Sequence, residues 1–140
     1  TGNVDLDASA FLTDSGKILV LNVASGCTVT LPAATGTGAQ YHFFVGTAIT
    51  SNQYFIKVAD ATDTIKGIVN MVDIDTDALT AVTAKDTDDT ITLNGGTTSG
   101  AAVGDTLVLT DIATNQYIVQ GNLVVAAGSN PADPFSATVS

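Results

Sequence analysis

Residues 30–41 read TLPAATGTGAQY, and HFFV follows at 42–45. Two readings compete for Gly36-Thr37-Gly38, a phosphate cradle or a chain reversal. A dinucleotide fingerprint of the form G-x-G-x-x-G requires glycine at position 41, where Tyr stands, and a helix N-terminus behind it to hold the phosphates. The segment behind alternates instead. Tyr41, Phe43 and Val45 fall on one side and His42 and Phe44 on the other, which is the period of a strand. Pro32 ends the strand TVTL, and the two glycines let the backbone reverse. The stretch therefore reads as strand, turn, strand.

The same grammar extends in both directions. ILVLNV (18–23), TVTL (28–31), YHFFV (41–45), YFIKVA (54–59), IKGIVNMV (65–72), TITL (90–93), TLVLTDIA (106–113), QYIVQ (116–120) and LVVAA (123–127) are short apolar or alternating runs. ASG, PAATGTG, TSNQ, DATD, NGGTTSG, ATN and GN separate them as turns. Strands of this length and spacing predict an all-β domain, an antiparallel β-sandwich or barrel. Helical spacing is confined to LDASAFLTDSG near the N-terminus and to 75–84, where Leu79 and Val82 suggest a short helix. Thr and Asp are poor helix-interior residues, so both segments are marginal. No break in composition divides the 140 residues. One domain is expected, with an N-terminal arm over 1–15, a β core over 16–128 and a C-terminal arm over 129–140. The second arm holds two of the three prolines and ends in an isolated Phe135, so it reads as extended chain that docks elsewhere. Phe11, Pro131, Pro134 and Phe135 are the interface candidates.

Composition narrows the function classes. Fourteen acidic residues, all Asp, stand against four Lys, for a formal charge of −10. Such a surface repels phosphate backbones and anionic lipid, so neither nucleic acid nor membrane is an expected partner. Asp in place of Glu points to turns and strand ends as the sites of that charge. A single Cys27 makes no intrachain disulfide and reads as a half-buried hydrophobe. No apolar run approaches a membrane span, and the opening TGNVDLDA lacks the basic and apolar regions of a secretory signal. Thr1 is consistent with loss of an initiator Met, and a mature chain made in a cytoplasm is the expectation.

Chemistry-bearing patterns are sparse. One His, one Cys and no Glu give no HExxH and no convincing Cys/His pair, and G-x-S-x-G is absent. No enzyme is expected. Asp73, Asp75 and Asp77 recur at every second position and would share a face on a strand, which makes them the calcium candidates. As an EF-hand loop they fail, because Ala78 stands where Gly is needed and Ala84 where a bidentate Glu is needed. A solvated acidic edge that discourages strand-to-strand aggregation accounts for them better. No other metal or cofactor is expected.

The strings VTLPAATGTGAQYHFFVGT, YFIKVAD, NGGTTSG with GDTLVLTD, QYIVQG and the terminal DPFS together resemble small β-rich virion proteins of tailed bacteriophages, above all capsid decoration (cement) proteins. The resemblance runs over most of residues 16–136. It implies a β-sandwich or jelly-roll domain, usually a homotrimer, bound to the major capsid protein on the outer surface of the virion, where it stabilises the shell. It brings no catalytic residues. The alternative of another class is a tail-fibre or adhesin-type domain that binds a host surface glycan, for which exposed aromatic side chains would supply the platform.

Overall fold

The computed structural model of the chain describes residues 4–5, 15–100 and 102–139. Among them there is no helix. Eleven strands run in chain order: β1 (Val4–Asp5), β2 (Ile18–Leu21), β3 (Cys27–Thr30), β4 (Gln40–Val45), β5 (Tyr54–Lys57), β6 (Thr64–Asp73), β7 (Leu79–Thr83), β8 (Thr90–Leu93), β9 (Thr106–Ala113), β10 (Gln116–Val125) and β11 (Phe135–Ser136). They form a five-stranded sheet of order β1-β3-β5-β8-β11 and a six-stranded sheet of order β2-β4-β9-β10-β6-β7. Neither closes into a barrel. Alternate residues face inward along most strands. Tyr41, Phe43 and Val45 of β4, Leu107 and Leu109 of β9, and Val119 and Leu123 of β10 meet Tyr54, Ile56 and Ile91 of the opposite sheet in one core. Each large apolar side chain buried there contributes about 2 kcal/mol by its removal from water.

The expected antiparallel pairing is replaced by mixed pairing. The pairs β1 with β3, β3 with β5, β2 with β4 and β6 with β10 are all parallel. The reason lies in the chain path. From β1 to β6 successive strands alternate between the two sheets, so every second strand returns to its sheet running the same way, which accounts for β1 with β3, β3 with β5 and β2 with β4; β6 and β10 are linked through β7, β8 and β9. Two hairpins, β6 with β7 and β9 with β10, supply antiparallel neighbours.

Three local expectations are corrected. Residues 75–84 do not form a helix. The carboxylate of Asp73 accepts from the N–H of Asp75 and Thr76 at 2.8 and 3.4 Å, Asp77 takes φ +56°, and Asp73 N–H bonds Ala78 C=O at 3.0 Å. That turn sends Leu79–Thr83 back along β6 as a strand. Second, the GN at 121–122 makes no turn. β10 runs straight through it, and Gly121 serves for its missing side chain, since a Cβ there would lie 2.4 Å from the carbonyl oxygen of Thr106. Third, Phe135 is no free anchor. It pairs with Ile91 in β11, is 6% exposed and belongs to the chain's own core. Pro134 is buried beside it and its carbonyl accepts from Thr92 N–H, while Pro131 is half-buried. Phe11 lies outside the described residues. Val4–Asp5, at the other end, pairs with β3.

Candidate functional site

The loop after β3 does cradle an anion, and the anion is Asp111 of the same chain. Asp111 sits near the end of β9 with 3% of its surface exposed. Its carboxylate accepts from the N–H of Thr35 at 3.1 Å, of Gly36 at 2.7 Å and of Thr37 at 3.1 Å, and from the Thr37 hydroxyl at 2.8 Å. Convergent N–H groups of this kind form an anion nest. Gly36 and Gly38 hold φ of +79° and +76°, the left-handed conformation that glycine reaches without a Cβ clash, and this aims the N–H groups inward. Burial alone would raise the pKa of Asp111, but the bonds from Thr37, Gly36 and Thr35 outweigh it and hold the carboxyl below its ordinary value.

Beneath the loop lies a cavity of about 90 Å³ bounded by Pro32, Thr35, Thr37, Tyr41, Asp111 and Tyr117. The Tyr117 hydroxyl donates to Pro32 C=O at 2.8 Å, and its ring meets that of Tyr41 at a tilt, with centroids 6.5 Å apart. Burial, with the nearby Tyr41, Asp111 and Asp63 adding to it, pushes the Tyr117 phenol far up. Asp63, 1% exposed, accepts from Ala34 N–H at 3.1 Å on the same loop; its burial, together with Asp60 and Asp111, raises its carboxyl despite that bond. Chemically this is a clamp. Both carboxylate oxygens of Asp111 are engaged by the loop it holds.

The pattern repeats elsewhere. Asp105, 2% exposed, accepts from Gly100 N–H at 3.1 Å, Val124 N–H at 2.9 Å and the Ser99 hydroxyl, tying the β8–β9 loop to β10. Its burial outweighs those bonds and raises its carboxyl. Asp89 accepts from the N–H of Thr138 and Val139 and holds the C-terminal segment, and Asp88 accepts from Lys85 N–H at 2.7 Å. Asp as the uniform acid thus has a structural use that composition alone did not disclose. A short carboxylate beside a turn satisfies N–H groups that no strand would otherwise pair.

The candidate calcium face is not assembled. Only Asp73 ends a strand, whereas Asp75 and Asp77 lie in the turn after it, so the shared strand face does not exist. Asp75 is occupied by Gly128 N–H at 2.9 Å. Among the described residues no three carboxylate, imidazole or thiol groups converge on a common point. His42 and Cys27 lie on different sheets, β4 and β3. The three Tyr are all buried, whereas Phe44 is exposed on β4.

One surface was missed altogether. Outward positions of the six-stranded sheet carry Ile18 and Val20 on β2, Phe44 on β4, Ile68 on β6 and Leu79 on β7, between 38% and 64% exposed. Register brings Val20 beside Phe44 and Ile18 beside His42. Between them lie Thr106, Val108 and Thr110 of β9 and Ile118, Gln120 and Asn122 of β10. Among the described residues none of these outward strand positions is an Asp, although the chain carries fourteen. The signal was present in the sequence as apolar residues at both parities of β2 and β4. Comparison with protein families, with characterised proteins and with solved structures finds no match to this chain.

Proposed function

We propose that this chain is a non-catalytic structural protein that coats a larger assembly, as a decoration protein on the outer surface of a phage capsid, with the major capsid protein as its partner. The observation that carries the proposal is the outward face of the six-stranded sheet. In a chain of charge −10, none of the outward strand positions of that face is an Asp among the described residues, and Ile18, Val20, Phe44 and Ile68 are displayed there. Exposed apolar area of that kind marks contact surfaces, and the absence of like charge lets a large partner approach without desolvating carboxylates. The buried acids support the same reading, because they are consumed in holding loops. Occupation of three-fold points by three copies is the arrangement that the resemblance to decoration proteins implies.

Co-sedimentation with assembled shells of the major capsid protein tests the docking face. Val20→Asp together with Phe44→Asp abolishes binding while the circular dichroism spectrum stays that of a folded β-protein. Retained binding by this variant overturns the assignment of the face.

A further inference from the structure

The last strand of the six-stranded sheet, β7, offers an open edge. Its ladder with β6 pairs Val69 with Val82 and Met71 with Thr80. At its ends Ala84 N–H donates to Gly67 C=O at 2.9 Å, and Ala78 C=O accepts from Asp73 N–H at 3.0 Å. In an antiparallel ladder both backbone groups of one residue point to the same side, and the side alternates along the strand. Ala78, Thr80, Val82 and Ala84 therefore address β6, and Leu79, Ala81 and Thr83 direct N–H and C=O to the open edge. No further strand covers that edge among the described residues, and Leu79–Thr83 contains no Pro, no charge and no bulge to guard it. Unguarded edges pair with other strands.

The segment around this edge is self-complementary. It reads Asp77-Ala78-Leu79-Thr80-Ala81-Val82-Thr83-Ala84-Lys85, nearly symmetrical about Ala81 in side-chain size, with opposite charges at its two ends. We propose that β7 pairs antiparallel with β7 of a second copy of this chain, across a two-fold axis at Ala81. Ala81 then faces its own counterpart, Leu79 faces Thr83 and Thr80 faces Val82, while Asp77, in the turn before β7, comes to the same end of the pair as the partner's Lys85. The outward N–H groups of Leu79, Ala81 and Thr83 meet the outward C=O groups of Thr83, Ala81 and Leu79, so the alternation set by β6 satisfies the new ladder in full. A parallel, in-register pairing would instead place Asp77 on Asp77 and Lys85 on Lys85, so charge selects the antiparallel arrangement. Lys85 already bonds Asp133, and its side chain is 65% exposed; its ammonium has donors to spare for the partner's Asp77. The axis stands perpendicular to the sheet, so the two six-stranded sheets become one and their outward faces lie on the same side.

Light scattering coupled to size exclusion, over a concentration series, reads the contact. The wild-type chain runs as a dimer, or as a hexamer if the three copies of the proposed arrangement pair with three more through β7. Ala81→Pro halves its mass, because proline removes an outward N–H and blocks the edge while leaving the β6 ladder untouched. Asp77→Lys and Lys85→Asp each also halve it, since each sets like charges opposite one another in the pair. Mixing those two variants restores the full mass, because both contacts of the mixed pair are then Lys against Asp. A wild-type monomer throughout the series, a mass that Ala81→Pro leaves unchanged, or a mixture that stays at half mass overturns the proposal. Should Ala81→Pro fail to fold, the mixing experiment decides alone.

Discussion

Asp111 and Asp75 both stand beside turns and both accept backbone N–H bonds, yet one is 3% exposed and the other lies open to solvent. Asp111 occupies an inward strand position, and its nest of three N–H groups and a hydroxyl is what makes burial of a charge tolerable. Asp75 has water as a second source of hydrogen bonds, so its protein bond replaces a bond of nearly equal worth. The same residue type thus locks one loop and merely decorates another, and solvent access makes the difference.

The comparison breaks most visibly at Asp111. Replacing it with Ala strands the buried end of the nest and is expected to cost about 3 kcal/mol, the usual scale for hydrogen bonds to a charged group together with a lost buried partner; urea unfolding measures it. A loss below 1 kcal/mol would mean that water substitutes for the carboxylate and that the clamp is dispensable.

Acid separates the buried carboxylates from one another. Asp111 is held below its ordinary value, so its stabilisation is complete above about pH 4 and drains away as pH falls through the folded-state value. Asp105 is raised, so the folded chain holds that proton more tightly than the unfolded one. Its contribution is full below about pH 4 and is lost as pH rises through the raised value. Stability curves of Asp111→Asn and Asp105→Asn against pH should therefore depart from wild type with opposite slopes. Parallel curves would contradict the assignment of burial as the dominant influence on Asp105.

Gly38→Ala tests the nest from the loop side. Its φ of +76° penalises any side chain, while a Cβ there would meet nothing within 4 Å, so the expected cost is conformational, about 1 kcal/mol by thermal or urea unfolding. A larger loss would reveal a packing role that the geometry does not contain. At the exposed end of the comparison, Asp75→Ala should leave the unfolding midpoint within the range of ordinary surface changes, about 0.5 kcal/mol. A greater loss would show that the turn, too, depends on its carboxylate.

Much of the fold was legible because strand periodicity is local. Tyr41, Phe43 and Val45 are buried as their alternation demanded, and β5, β8 and β9 lie where apolar runs stood between turns. Residues 75–84 misled for a physical reason. Leu79 and Val82 satisfy a helical spacing as well as a hairpin one, and the choice was made by Asp73, whose carboxylate closes the turn, and by β6, which offers a ladder. The candidate calcium face failed with it, since a period-two argument holds only on a strand.

By itself the sequence determined an all-β chain, its strands and the inward face of most of them, because alternating side chains on a pleated backbone can bury only one side. It also determined that Gly36-Thr37-Gly38 would turn the chain in place of opening a helix. Only the tertiary structure decided which strands are neighbours, that the chain alternates between sheets and so pairs in parallel, that Phe135 folds back into its own core, and that the loop's N–H groups close on Asp111, 74 residues beyond Thr37. These choices depend on contacts between residues far apart in the chain, where burial of apolar surface and pairing of buried polar groups select among arrangements that local propensity leaves equal.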